Sequence, residues 1–125
     1  MISRGKKLTI KSKIWIEDDT GDVVFGAGRM KILSAVQEHG SILGAAKELK
    51  MSYRAVWGKI KATEDRLGQP LLVRRPGGAR GGGSELTPLG KALVERFRHL
   101  QTLTETAANT LFQDLFVDGL VYKTF

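Results

Sequence analysis

The chain contains no cysteine, which excludes disulfides and thiolate metal sites and fits a cytoplasmic setting. No apolar run approaches the roughly 20 residues that span a bilayer, and the opening "MISRGKKLTI" lacks the apolar stretch of a signal peptide. No membrane partner is expected. The only two histidines, His39 and His99, lie sixty residues apart with no ligand spacing between them, so no metal site is expected. Asp18 and Asp19 sit among turn residues, where paired acids form turns rather than catalyse. No local Ser/His/Asp grouping occurs. The expectation is therefore a protein that is not an enzyme and needs no cofactor. Internal repeats are absent as well.

What is present is 125 residues, 42% of them hydrophobic, enough for one ordinary domain or one domain with an appendage. The formal net charge is +7. Between Lys50 and Arg98 there are eleven Lys or Arg against four Asp or Glu, so this stretch alone carries the whole excess. From Gln101 onward the balance is −2, from one Lys and three acids. A basic middle on a near-neutral body suits an anionic partner; a solvated face kept basic for solubility has the same composition.

The hydrophobic pattern orders the elements. "KLTIKSKIWIE" alternates, "DDTGD" turns and "VVF" is β-branched and aromatic, which predicts a β-hairpin over about residues 7–25. A helix follows, with Met30, Leu33, Val36 and Gln37 at helical spacing and Gly40 where its C-terminal cap falls. Ser41 is placed to cap a short helix over about 42–49, packed through Ala45, Ala46 and Leu49. Ser52 opens a third helix reaching about Leu67, with Tyr53, Val56, Ile60 and Leu67 on its core side; Gly68 and Pro70 end it. "LLVRR" and a return around "SEL" bracket five glycines in positions 77–83, a second hairpin with a flexible tip. Thr87-Pro88 starts a last helix. Its apolar seam takes Leu89, Leu93, Phe97, Leu100, Leu103 or Thr104, Ala107, Leu111 and Leu115.

Two short helices back to back, "GSILGAAKELKMSYRAVWGKIK" (40–61), followed by a hairpin, make a winged helix-turn-helix. In that arrangement the first helix braces and the second enters the DNA major groove, its N-terminal residues against base edges. Ala45 and Ala46 let the second helix cross closely. Ser52, Tyr53 and Arg54 stand at its start, with Lys59 and Lys61 on different faces of it. Arginine can bond guanine bidentately or clamp phosphate, while hydroxyls suit phosphate oxygens. Tyr53 also suits the core, and Trp57 is expected to pack on the preceding helix. In the wing, Arg74, Arg75 and Arg80 are spaced to neutralise phosphates. The glycines fit neither nucleotide-loop pattern: no Lys follows them, and a strand rather than a helix comes next.

These stretches, with "GQPLLVRRPGGARGGGSELTPLG" (68–90) and the upstream "KIWIEDDTGDVVFGAGRMKIL" (13–33), closely resemble the DNA-binding domain of the molybdate-responsive ModE-type regulators. Those are winged helix-turn-helix proteins similar to the LysR-type DNA-binding domain. The resemblance covers about residues 8–100. It implies a mainly α fold with small β-hairpins, a long C-terminal dimerisation helix, and a homodimer on pseudo-palindromic double-stranded DNA. Ser52, Tyr53 and Arg54 would open the recognition helix, and Arg74, Arg75 and Arg80 would belong to the wing.

Three departures stand out. Ala55 replaces a second arginine, and Lys50 stands where the turn commonly has glycine, at a cost of roughly 1 kcal/mol if its backbone is left-handed. The chain also stops at Phe125, so the resemblance is not expected to bring the family's molybdate-binding domain, and the small-molecule effector is unknown. The expected division is a winged domain with its N-terminal hairpin over 1–100, and the end of the dimerisation helix with a tail over 101–125.

The dimer has its own argument. The seam is longer than a winged domain needs to cover itself, and Leu100, Leu103, Leu111, Phe112, Leu115 and Phe116 would be exposed without a partner. The dimerisation contacts are expected from Leu93, Phe97, Leu100, Leu103, Leu111 and Leu115. The leading expectation is a sequence-specific transcription regulator. The alternatives are a non-specific nucleoid-associated DNA-binding protein, or an oxyanion or nucleotide sensor using the glycine-rich loop.

Overall fold

The computed structural model describes residues 7–78 and 81–121. Strands β1 (Trp15–Glu17) and β2 (Val23–Gly26) form the first hairpin. Three helices follow, α1 (Ala27–His39), α2 (Ile42–Leu49) and α3 (Tyr53–Leu67). Strands β3 (Leu72–Gly78) and β4 (Gly81–Leu86) form the second hairpin, and α4 runs over Pro88–Phe112 into π-helical turns at Gln113–Val121. Both hairpins are antiparallel and neither joins the other. This is the winged helix-turn-helix that the sequence predicts. Among the described residues no helix is long and apolar enough to cross a membrane.

The first hairpin is shorter than expected. β1 begins at Trp15, and the alternating segment from Lys7 to Ile14 forms no strand. The reason is a missing partner: Trp15 already pairs with Gly26, and the chain turns into α1 at Ala27. The turn itself is as anticipated. The Asp18 carboxylate accepts from the Thr20 hydroxyl (2.6 Å) and from the amides of Thr20 (2.9 Å) and Asp22 (3.0 Å). Those bonds, the Thr20 hydroxyl first, hold its carboxyl below the ordinary carboxylate range.

Local chemistry sets the helix ends. The Ser41 hydroxyl accepts from the Gly44 amide at 2.9 Å, and the Ser52 hydroxyl from the Ala55 amide at 3.0 Å. Gly40 (φ 72°) and Gly68 (φ 70°) close α1 and α3 in the left-handed region. α2 ends the same way, with Met51 N–H on Ala46 C=O and Lys50 N–H on Lys47 C=O, but its left-handed residue is Lys50 (φ 56°). Among the described residues no other non-glycine has a positive φ. Lys50→Gly should therefore raise stability by about 0.5–1 kcal/mol, the relief of the β-carbon exceeding the entropy that glycine loses. A higher urea midpoint at unchanged m-value is the expected reading.

The described chain forms two compact units, Ile14–Arg98 and, separately, residues 7–13 with 99–121. The core of the larger unit gathers Phe25, Leu33, Val36, Ala45, Val56, Leu71, Val94 and Phe97, all buried. Phe97 sits edge-on to Phe25, with centroids 5.4 Å apart and planes at 79°. Its assignment to an intermolecular seam is thus corrected: this ring is only 3% exposed and belongs to the chain's own core. Leu93, one turn earlier, is partly buried against the same cluster.

In the smaller unit Leu100, Leu103, Leu111, Leu115 and Phe116 are exposed. Phe112 and Phe116 stack at 5.5 Å. The seam is not one uninterrupted α-helical stripe, because the change to π-helical turns at Gln113 alters the phase of Leu115 and Phe116.

Candidate nucleic-acid interface

α3 is held from behind by Val56, Ile60 and Thr63, all buried. Thr63 is a polar residue on that apolar stripe, and its setting explains it. Its hydroxyl accepts from Arg29 Nε at 2.9 Å and lies 3.2 Å from Val24 C=O and 3.1 Å from Lys59 C=O. Burial, with the Arg66 charge second, pushes the Arg29 guanidinium down from its ordinary value. The interruption of the apolar period at Thr63 was the legible sign of this link between α1, α3 and β2.

With the core side so defined, 100° per residue places Arg54, Gly58 and Lys61 in one stripe on the opposite side of α3. All three are exposed. Lys61 Nζ also lies 3.2 Å from the Asp65 carboxylate, one turn on. Lys59 is exposed on another face of the helix and does not join the stripe. Ser52 accepts the cap bond on one of its two lone pairs, which leaves its O–H to donate outward.

Tyr53 is not on the core side, as its spacing had allowed, but 41% exposed. Val56, Ile60 and Thr63 already fill the face towards the core, and the phenol projects beside it. Trp57, expected to pack away, is also exposed, at 36%.

The wing meets this helix through its arginines. Successive residues of a strand point to opposite faces, and Arg74 and Arg75 separate accordingly. Arg74 Nη2 donates to the Tyr53 hydroxyl at 3.3 Å, joining wing to α3. Arg75 Nη2 donates to the Gly40 carbonyl at 3.0 Å, and the Ser84 amide donates to the same oxygen at 2.8 Å. The base of the wing is thereby bonded to the turn between α1 and α2. Gly83, opposite Arg75 in the ladder, is required by that contact: a β-carbon there would lie 2.5 Å from the Gly40 carbonyl oxygen. Five clustered glycines suggested only a slim tip, and nothing local distinguished Gly83 from its neighbours. Arg80 and the expected flexible tip at 79–80 lie outside the described residues.

Between these parts is a cleft of about 200 Å³ lined by Ile42, Leu43, Tyr53, Arg74, Arg75 and Ser84. Arg74, Arg75 and Tyr53 share this cleft with the start of α2, and two guanidiniums with a phenol suit an anionic backbone. Elsewhere, His39 Nε2 lies 2.7 Å from Glu48 Oε1, bridging the end of α1 to α2, with Glu38 close by. The sequence separation of His39 from His99 said nothing of these nearer neighbours.

Comparison with known proteins agrees with this geometry. A family model described as bacterial regulatory helix-turn-helix protein, lysR family, matches residues 28–91. The molybdenum transport protein ModE of Azotobacter vinelandii is 33% identical over 104 residues, 83% of this chain and 38% of that protein. The transcriptional regulator ModE of Haemophilus influenzae is 36% identical over 83 residues, 66% of this chain and 32% of that one. This chain thus spans about a third of the length of these relatives. Among solved structures, the CbnR DNA-binding domain in complex with DNA superposes with a TM-score of 0.52 at 32% identity, over 66% of this chain and 90% of that one. Full-length CbnR complexed with its target DNA gives 0.53 at 31% identity, over 69% and 28%.

Proposed function

This chain belongs to the lysR family of bacterial regulatory helix-turn-helix proteins, and from that premise we propose that it is a sequence-specific, double-stranded-DNA-binding transcription regulator of the ModE-like type, acting as a cytoplasmic homodimer. The observation that carries the reading is the exposed stripe of α3, with Arg54 and Lys61 on one side of the helix and the wing's Arg74 tied to Tyr53 at its start. α3 lies in the major groove; Arg54 reads a base edge and Ser52 and Tyr53 hold phosphate oxygens. Arg74, Arg75 and Arg80 serve the backbone from the wing, Lys59 adds a phosphate contact from the flank of α3, and Lys61 continues the stripe of Arg54 along the groove. Leu100, Leu103, Leu111 and Leu115 pair two copies, which brings two recognition helices to one duplex with half-sites one helical turn or a multiple apart.

Selection from a random duplex pool, followed by competition against unselected duplex across a salt series, tests the reading. A regulator enriches one palindromic motif and prefers it by about 10³ or more. Equal affinities at every salt concentration would instead identify a non-specific, nucleoid-associated binder. Calorimetric heat with molybdate, tungstate or ATP would revive a sensor role for the glycine-rich loop.

Within that reading, Arg54→Ala should weaken binding to the selected motif by about 1–3 kcal/mol, the loss of one bidentate base contact. Thermal stability should stay the same, because Arg54 is exposed. Unchanged motif affinity would put another residue at the base edge.

A further inference from the structure

Gly58 lies in the middle of α3, where glycine destabilises a helix relative to alanine. Nothing within the protein accounts for it. Its φ is not positive, and a β-carbon built there would meet no atom within 4 Å apart from the helix's own backbone. Gly83 and Gly90 differ in kind, since their β-carbons would strike the Gly40 and Leu71 carbonyl oxygens. Gly58 is one turn after Arg54 and one turn before Lys61, on the side of α3 that faces away from the buried Val56 and Ile60. The helix is thinnest where its cationic stripe is centred.

We propose that Gly58 is the point at which α3 comes nearest the floor of the major groove, and that the space left by its missing side chain is occupied by the edge of a base pair. This inference rests on the regulator reading above and adds a specificity-determining residue to it. The backbone at Gly58 approaches a base more closely than any side-chain-bearing position allows, and that approach brings Arg54 and Lys61 within reach of the groove on either side. A methyl group at this position would hold the helix axis away from the DNA at the centre of the contact. The same methyl group would favour the helix in the free protein. Stability and specific affinity therefore move in opposite directions on substitution, which a merely structural glycine does not do.

The test is Gly58→Ala in the full chain, measured by thermal denaturation and by binding to the motif selected with the wild-type protein. The melting temperature should rise by about 3–6 °C. Affinity for the motif should fall about tenfold or more, the scale of one mismatched base pair, while affinity for unselected duplex stays within about twofold. Selection repeated with the variant should return a motif altered at one position in each half-site. Motif affinity equal to wild type would overturn the inference and leave the regulator reading standing. A lowered melting temperature would also overturn it, by showing that the glycine serves the fold. Absence of any enriched motif with the wild-type protein would remove the regulator reading itself and this inference with it.

Discussion

Phe97→Ala should destabilise the protein by about 3–5 kcal/mol, the range for truncating a buried aromatic. The ring is 3% exposed and stands edge-on to Phe25, which is fully buried. Phe25 belongs to β2 and Phe97 to α4, so their contact fastens the first hairpin to the helix that follows the wing. The loss combines the transfer of the ring out of water, the cavity it leaves, and about 0.5–1.5 kcal/mol of edge-to-face attraction. The cluster that would have to collapse into the space is itself buried, with Leu33, Val36 and Val94 among its members. Urea unfolding checks the magnitude. DNA binding should fall only in proportion to the folded fraction, and the association state of the folded protein should not change. A loss below about 1 kcal/mol accompanied by dissociation into monomers would return Phe97 to an intermolecular contact.

Further along the same helix the expected outcome is of the opposite kind. Leu103 and Leu111 are each 56% exposed, so replacing both by glutamate removes little from the chain's own core, and thermal stability of the DNA-binding unit should be nearly retained. In the proposed homodimer the association state should change instead. Two like charges facing their symmetry mates in an apolar interface are strongly unfavourable, so the pair should convert that dimer to a monomer in sedimentation. Affinity for the full palindrome should then drop by about 10²–10⁴, the contribution of an intramolecular second binding event. Affinity for an isolated half-site should be unaffected, because the stripe on α3 is untouched. A variant that remains dimeric would place the interface on another surface.

The contrast between Phe97 and Leu103, less than two turns apart in one helix, shows where sequence reading stops. Both lie on the apolar period of α4, and periodicity marks a face without naming what covers it. Phe97 meets Phe25 from a hairpin more than seventy residues earlier, and nothing in the local pattern around either ring reveals that meeting. Tyr53 carries the same lesson in reverse. Its spacing from Val56 and Ile60 allowed the core, but the packed face of α3 is filled by Val56, Ile60 and Thr63, and the phenol turns out towards Arg74. The first strand of the predicted hairpin formed only at Trp15–Glu17, not over residues 7–14, for a related reason. Alternation makes a segment suitable for a sheet, but a ladder needs a partner strand, and β2 ends at Gly26.

The sequence alone determined what depends on neighbours in the chain. Ser41, Ser52 and Thr87 start helices and Gly40 and Gly68 stop them, because a cap is a bond or a dihedral confined to a few adjacent residues. The order of elements and the concentration of positive charge between Lys50 and Arg98 were legible for the same reason. Tertiary structure decided how distant residues divide the work. It gave Phe97 to the core and left Leu103 at the surface. It set Arg75 on the Gly40 carbonyl and Arg74 on Tyr53, and it turned Gly58 away from every buried contact. Those outcomes depend on which surfaces meet when the helices pack, and a linear pattern of polar and apolar residues specifies that only through the folded whole.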